Sequence, residues 1–151
     1  MSYRTIRDIL IFSENLHRHA AVLYERLRDT TQKERVDMLF KLLVRHEEKL
    51  ALALSRYQDD NRSAILEEWH QFEPADVADL VRDANELHDD MSIHDLLSLA
   101  LKVDDYLIAA YQQLAADASS TEARELFEDL ATLEQAEEAS AVRAALSVDD
   151  W

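Results

Sequence analysis

The sequence predicts an all-α fold built from four long helices, on three observations. The chain has 151 residues, enough for one domain with a hydrophobic core. It contains no glycine and a single proline, Pro74, whereas the tight turns of β-sheets need the positive φ angles that glycine usually supplies. Apolar residues recur every three or four positions over long stretches, which is the period of an amphipathic helix.

The charge balance and the missing cysteines exclude several classes of function. Sixteen lysines and arginines are outnumbered by 32 acidic residues, so the formal net charge is −16. A surface this acidic repels nucleic acids and anionic membranes, and we expect neither as a partner. A chain without cysteine has no disulfides, thiolate metal sites or thiol catalysis. No apolar run approaches the roughly 20 residues of a membrane span, and the first residues lack a signal-peptide profile, so we expect a soluble cytoplasmic protein.

The first helical hairpin is predicted over about residues 5–59. Helix 1 runs from about Thr5 to Asp29, and Thr31 with Glu34 forms a capping box that starts helix 2. Because the connecting turn is short, the two helices should be antiparallel neighbours. The residues expected to face inward are Ile9, Phe12, Ser13, Leu16, His17, Ala20, Leu23, Tyr24 and Leu27 on helix 1, and Val36, Leu39, Phe40, Leu43, Glu47, Leu50 and Leu54 on helix 2.

A partly helical crossover is predicted over about residues 60–91. Asn61 and Ser63 can cap a first short helix, and Pro74 suits the first turn of a second. The apolar residues of these two short helices are Ile65, Leu66 and Trp69, and Val77, Leu80 and Val81. We expect Trp69 and Phe72 to close one end of the core.

The second hairpin is predicted over about residues 92–146. Ser92 with Asp95, and Ser119 with Glu122, are the capping pairs that start its two helices. The predicted segments are helix 3 from about Ile93 to Asp117, helix 4 as far as about Leu146, and a frayed tail over 147–151. The inward face of helix 3 is expected to hold Leu96, Leu97, Ala100, Val103, Asp104, Leu107, Tyr111 and Leu114.

The two hairpins are related by a constant offset of 87 positions. The matching pairs are Leu10 and Leu97, Tyr24 and Tyr111, Leu27 and Leu114, Leu39 and Leu126, Phe40 and Phe127, Leu43 and Leu130, and Glu47 and Glu134. Shared turn length and register indicate an internal repeat. Two antiparallel hairpins joined by a long crossover are one way to build a four-helix bundle.

Ionisable residues interrupt the predicted apolar faces at one level. They are His17, Glu47, Asp104, Glu134 and Glu137. Four buried carboxylates cannot all stay ionised without counter-charge. Either a cation lies among them, or some are protonated and share hydrogen bonds. An oxygen-rich set with one imidazole suits iron or manganese better than a soft metal.

The same positions form a recognisable pattern on the four helices. His17 precedes Tyr24 by seven residues and Asp104 precedes Tyr111 by seven, while the even helices read Glu47-Glu48-Lys49-Leu50 and Glu134-Gln135-Ala136-Glu137. With these segments the chain resembles the ferritin-like superfamily, nearest the rubrerythrin type. That family carries a glutamate seven residues before a tyrosine on its odd helices and Glu-x-x-His on its even ones.

The resemblance implies a ferritin-like four-helix bundle with metal ligands at these positions. Glu47 and Glu134 would bridge two ions, His17 and Asp104 would be terminal ligands, and Glu137 would replace a histidine. Leu50 stands where the family has a ligand and cannot bind metal, which would leave one ion under-coordinated.

Two functions of different classes follow from this resemblance. One is an oxidoreductase that uses iron or manganese on peroxide or O2, or that handles iron. Typical rubrerythrins add a small module that holds iron with four cysteines, so electrons here would come from a separate donor protein. The alternative is a metal-free ferritin-like scaffold that acts in protein–protein assembly. A homodimer is expected in either case, with exposed apolar residues such as Trp69 and Trp151 at a contact.

Other polar residues are expected outside the site. Glu14 is predicted on the flank of helix 1, and His46 is predicted to be a surface or interhelical residue because it points about 100° away from Glu47. Tyr24 and Tyr111 are expected to fill the core with their hydroxyls satisfied. The remaining histidines have no metal-binding spacing and are expected to face solvent or cap helices: His19, His70, His88 and His94.

Overall fold

The computed structural model describes residues 2–59, 63–76, 79–80 and 91–149, and most of these are helical. Its elements are β1 (Tyr3–Thr5), α1 (Ile6–Thr30), α2 (Glu34–Asp59), α3 (Ser63–Leu66), β2 (Trp69–Gln71), α4 (Ile93–Ala100), α5 (Lys102–Asp117) and α6 (Thr121–Asp149). The predicted all-α class is therefore confirmed, with the addition of one small strand pair.

The first hairpin forms near its predicted bounds, although α2 begins at Glu34 and not at Thr31. The Thr5 hydroxyl caps α1 by accepting the amide of Asp8 at 3.1 Å. The helix ends where Thr31 turns to extended backbone, and the Thr31 hydroxyl accepts the amide of Lys33 at 3.2 Å. Across the turn, Arg28 donates to Asp37 at 2.9 Å. The short connection and this contact make α1 and α2 antiparallel neighbours.

The predicted helix 3 is interrupted at Leu101, which separates α4 from α5. Its start is confirmed, because the Ser92 hydroxyl accepts the amide of Asp95 at 3.1 Å. At the break, the Tyr24 hydroxyl donates to the carbonyl of Ala100 at 3.1 Å. A side chain that engages a helix carbonyl competes with the backbone ladder, which explains an interruption that periodicity alone does not reveal.

The last helix differs from its prediction at both ends. Its cap is Ser120, whose hydroxyl accepts the amide of Ala123 at 3.1 Å, so the prediction of Ser119 was wrong by one residue. The helix continues to Asp149 with Val148 buried, so the frayed tail was wrong over 147–149. Residues 150 and 151, including Trp151, lie outside the described residues.

The crossover contains the main departure from the all-helical expectation. Strands β1 and β2 pair antiparallel, with Arg4 opposite His70. Because side chains alternate along a strand, His70 points inward while Trp69 is 66% exposed. Trp69 was therefore wrongly predicted to close the core, whereas Phe72 is buried as expected. A short helix is confirmed over Ser63–Leu66, but Trp69, which was expected on it, lies in β2. Asn61, Val77 and Val81 lie outside the described residues.

The hydrophobic core consists of two clusters that the helices share. One cluster surrounds Phe127 and the other surrounds Phe40, with Tyr24 stacked on Phe40. Residues related by the offset of 87 occupy equivalent buried positions: Leu10 and Leu97, Tyr24 and Tyr111, Leu39 and Leu126, Phe40 and Phe127, and Leu43 and Leu130. In contacts between the hairpins, α2 packs against α6 and α1 against α5.

The hydroxyls of the two repeat-related tyrosines differ in their hydrogen bonding. Tyr24 donates to Ala100. Tyr111 faces Ser13, the residue 87 positions before Ala100. Neither of these two hydroxyls has a hydrogen-bond partner among the described residues. The expectation of a satisfied hydroxyl holds for Tyr24 and was wrong for Tyr111.

This difference predicts unequal effects of removing the two hydroxyls. Tyr24→Phe should lower the free energy of unfolding by about 1 kcal/mol, because a made hydrogen bond is lost, which corresponds to roughly 2–4 °C in melting temperature. Tyr111→Phe removes a buried hydroxyl without a partner and should be neutral or stabilising. Thermal unfolding of both variants measures the contrast, and equal losses would contradict it.

Candidate metal centre

Each of four helices contributes one buried polar side chain to a layer between the two apolar clusters. The residues are His17 on α1, Glu47 on α2, Asp104 on α5 and Glu134 on α6, and none is more than 1% exposed. On α1, for example, Leu16 belongs to one cluster and Ala20 to the other, on either side of His17. We refer to these four residues as the polar layer; the sequence pattern placed all four at this level.

His17 is the centre of the polar layer. Its Nδ1 makes a short hydrogen bond with Oε2 of Glu47, and its Nε2 lies 2.6 Å from Oε1 of Glu134. If both glutamates are ionised, the imidazolium form of His17 satisfies them, because it carries an N–H group on each ring nitrogen. Burial acts to lower the pKa of His17, but the charges and hydrogen bonds of Glu134 and Glu47 outweigh it and raise that pKa well above its ordinary value.

His46 makes a second buried contact with the polar layer. Its Nε2 lies 2.6 Å from Oδ2 of Asp104, and the residue is 5% exposed. Burial lowers the pKa of His46, but the hydrogen bond and charge of Asp104 raise it overall. The interhelical position was expected, but this contact was not. A sequence signal existed, since Leu43, His46 and Leu50 follow the helical three-four spacing.

The polar layer and His46 together hold three carboxylates and two imidazoles. With all five groups charged, the sum is one negative charge. Burial raises the pKa of Glu47 and that of Asp104, since desolvation disfavours the ionised form. One proton on a carboxyl group would therefore neutralise the cluster, and so would a cation.

Two carboxylate oxygens in the polar layer lack hydrogen-bond partners among the described residues. They are Oδ1 of Asp104 and Oε2 of Glu134. Such buried orphan acceptors call for a water or an ion. Asp104 Oδ1 lies 3.9 Å from Nδ1 of His17, and ligand atoms from His17, Glu47 and Asp104 lie within 4.8 Å of one another. One imidazole nitrogen and two carboxylate oxygens fit a first-row divalent metal such as iron or manganese.

Glu137 is not part of this group. Its carboxylate pairs with Nζ of Lys49 at 2.9 Å, at the edge of the contact between α2 and α6. A residue three positions after Glu134 is rotated by about 60° around the helix axis, which is enough to take it from the polar layer to the periphery. Its repeat counterpart Leu50 is wholly buried.

The other candidate residues have varied positions. Glu14 lies on the flank of α1, where it accepts hydrogen bonds from Arg18 and Gln58, each at 2.8 Å. His19 and His94 are exposed, as expected. His70 was wrongly expected at the surface; it is buried, with its ring 5.4 Å from that of Phe127. The prediction for His88 falls outside the described residues.

No protein family, curated protein or solved structure matches the chain. Within the part of the chain that the structure describes, no helix has the length and apolar character needed to cross a membrane.

Glu138 lies one turn after Glu134 on α6. Its raised pKa predicts that the stability of the protein depends on pH. Burial, a hydrogen bond with Asp105 and the negative charges of Asp105 and Asp104 raise its pKa to about 8, although His46 opposes the shift. The stability that the protonated form contributes is complete below the ordinary pKa of 4.5 and is lost as the pH rises through 8. Glu138→Gln should therefore stabilise the metal-free protein more at about pH 9 than at about pH 5.

Melting temperatures of the wild type and the variant across this range test the prediction. Glu128→Gln is the matched control, because it removes a carboxyl group from an exposed position of the same helix. A difference in melting temperature between Glu138→Gln and wild type that does not widen at high pH would contradict the prediction.

Proposed function

We propose that the chain is a ferritin-like metal-binding protein that holds one divalent iron or manganese ion at His17, Glu47 and Asp104. The observation that supports this most is a set of three buried side chains whose ligand atoms lie within 4.8 Å of one another. Oδ1 of Asp104, in addition, has no hydrogen-bond partner among the described residues. Two helical hairpins, which the crossover connects along the chain, pack against each other through α2 with α6 and α1 with α5. This packing supports the proposed ferritin-like bundle.

The contacts suggest distinct tasks for the residues of the polar layer. His17 would bind through Nδ1 after losing the proton that now faces Glu47. Glu134 would keep the Nε2–H of His17 and so fix the orientation of the ring. This differs from the bridging role that the family resemblance implies for Glu134. His46 would hold Oδ2 of Asp104 and leave Oδ1 for the ion.

A single ion suits this chain better than two. Leu50 offers no ligand atom, and Glu137 pairs with Lys49 outside the polar layer. When bound, iron or manganese would supply redox chemistry toward peroxide or O2. The burial of all four layer residues would exclude bulk water, and a separate protein would supply electrons because the chain has no cysteine. We also propose that two chains pair as a homodimer.

A metal-free scaffold that acts in protein–protein assembly is the second candidate function. The observation that favours it is His17, whose two ring nitrogens each lie within hydrogen-bond distance of a glutamate oxygen. In that case the imidazolium is the counter-charge, and the polar layer needs no ion.

Metal content distinguishes the two candidates. Protein purified without chelator from cells supplied with iron and manganese should carry about one ion per chain, and Asp104→Ala and Glu47→Ala should lose it because a missing ligand lowers affinity. Glu137→Ala is the matched control and should keep its metal, since Glu137 pairs with Lys49 instead. Elemental analysis by plasma mass spectrometry measures all four proteins.

Two outcomes of this experiment would contradict parts of the proposal. A wild type without stoichiometric metal, whose melting temperature does not change when Fe(II) or Mn(II) is added, would leave only the scaffold. Metal loss in Glu137→Ala as large as in Asp104→Ala would mean that the ligands are wrongly assigned.

Replacing the ion pairs tests how the metal-free layer is held. In metal-free protein, Glu134→Leu should cost about 3–5 kcal/mol of unfolding free energy, because it leaves a buried imidazolium partly unpaired. The triple change His17→Leu, Glu47→Leu and Glu134→Leu removes the imidazolium together with its two carboxylate partners. It should recover most of that loss or more. Chemical denaturation measures both; a triple variant that is less stable than Glu134→Leu would contradict this prediction.

A further inference from the structure

The polar layer is closed to solvent, so any ion that binds there must pass between helices. None of its four residues is more than 1% exposed. A groove of about 160 Å³ lies between α2 and α6, and His46 is part of its lining. Since Nε2 of His46 contacts Asp104 at 2.6 Å, one imidazole separates this groove from a proposed ligand.

Two other surface grooves of the described residues do not reach the polar layer. One lies between α5 and α6 and is lined by residues such as Gln112 and Thr132; the other lies near Phe72 and Tyr106. Neither lining includes a residue of the polar layer or His46. The groove between α2 and α6 is therefore the shortest connection that these surfaces offer.

The lining of this groove combines small side chains with an ion pair. Ser140 and Ala144 on α6 leave the space that a larger side chain would fill. Lys49 and Glu137 also line it and pair with each other at 2.9 Å, and Lys49 is largely exposed. Arg45 also lines the groove. The charges of Lys49 and Arg45 repel an approaching cation, while the carboxylate of Glu137 attracts one.

We propose that this groove is the access route of the metal ion and that His46 is its gate, a role that rests on the proposed function. The imidazole must swing away from the groove floor to let an ion pass to Asp104. The Lys49–Glu137 pair restrains passage at the outer end. Glu137 thus acts on the path of the ion instead of as its ligand.

The rate of Co(II) binding to metal-free protein tests the route. Stopped-flow mixing followed by the visible absorbance of bound Co(II) gives the association rate, and equilibrium titration gives the dissociation constant. Ser140→Phe fills the groove and should slow association about tenfold or more, because it raises the barrier, while the dissociation constant stays within about twofold because the bound state is untouched. Thr132→Phe, on the same helix but in another groove, is the matched control and should leave the rate unchanged.

Two further variants should change the rate in the opposite direction. Lys49→Met removes the repelling charge and frees Glu137, so association should be faster than in the wild type. His46→Ala removes the gate and should also speed association, with weaker final binding because Asp104 loses its hydrogen-bond donor. These variants keep the test decisive if Ser140→Phe disturbs folding.

The outcomes separate the two proposals. Stoichiometric Co(II) binding by the wild type, with rates that Ser140→Phe, Lys49→Met and His46→Ala do not change, would overturn the access route and leave the metal centre intact. A wild type that binds no Co(II), iron or manganese would overturn both.

Discussion

The buried His17, with a glutamate at each ring nitrogen, is the interaction on which the arrangement of the helices depends. Its partners come from α2 and α6, so the two hairpins must meet at one fixed level. Removing charges from water costs several kcal/mol per ion even after relaxation, and only a complete set of partners offsets that cost. The two apolar clusters on either side shield this layer from bulk solvent, which strengthens each pairing and raises the penalty for any error in register.

Neighbouring contacts extend this constraint outward from the polar layer. His46 holds one oxygen of Asp104, and the hydroxyl of Tyr24 engages the carbonyl of Ala100 one turn before Asp104. The helix break at Leu101 therefore lies next to the residue that it helps to position. At the positions related to Tyr24 and Ala100 by the internal repeat, Tyr111 faces Ser13 without a hydrogen bond. The two halves are thus alike in packing but different in polar chemistry, and the asymmetry is concentrated around Asp104.

Much of this arrangement could be predicted from periodicity, because a helix presents residues to the core at fixed spacing. That rule placed His17, Glu47, Asp104 and Glu134 at one level. It failed for Glu137, which is rotated by about 60° from Glu134 around the helix axis and pairs with Lys49 instead. It also failed for contacts that depend on a second helix, since His46 became part of the site only because Asp104 lies opposite. The helix break and the strand at Trp69 depend on tertiary partners, Tyr24 and β1, that no local pattern contains.

The charge balance connects the two states proposed for the polar layer. With His17 doubly protonated, the three carboxylates exceed the two imidazolium ions by one negative charge, and one carboxyl proton must remain. A divalent ion on Nδ1 of His17 needs the same lone pair that the proton facing Glu47 occupies, so the two states exclude each other. With His17 neutral, a divalent ion and the imidazolium of His46 balance the three carboxylates without a residual proton. This charge balance supports the proposed exchange of protons for one divalent cation.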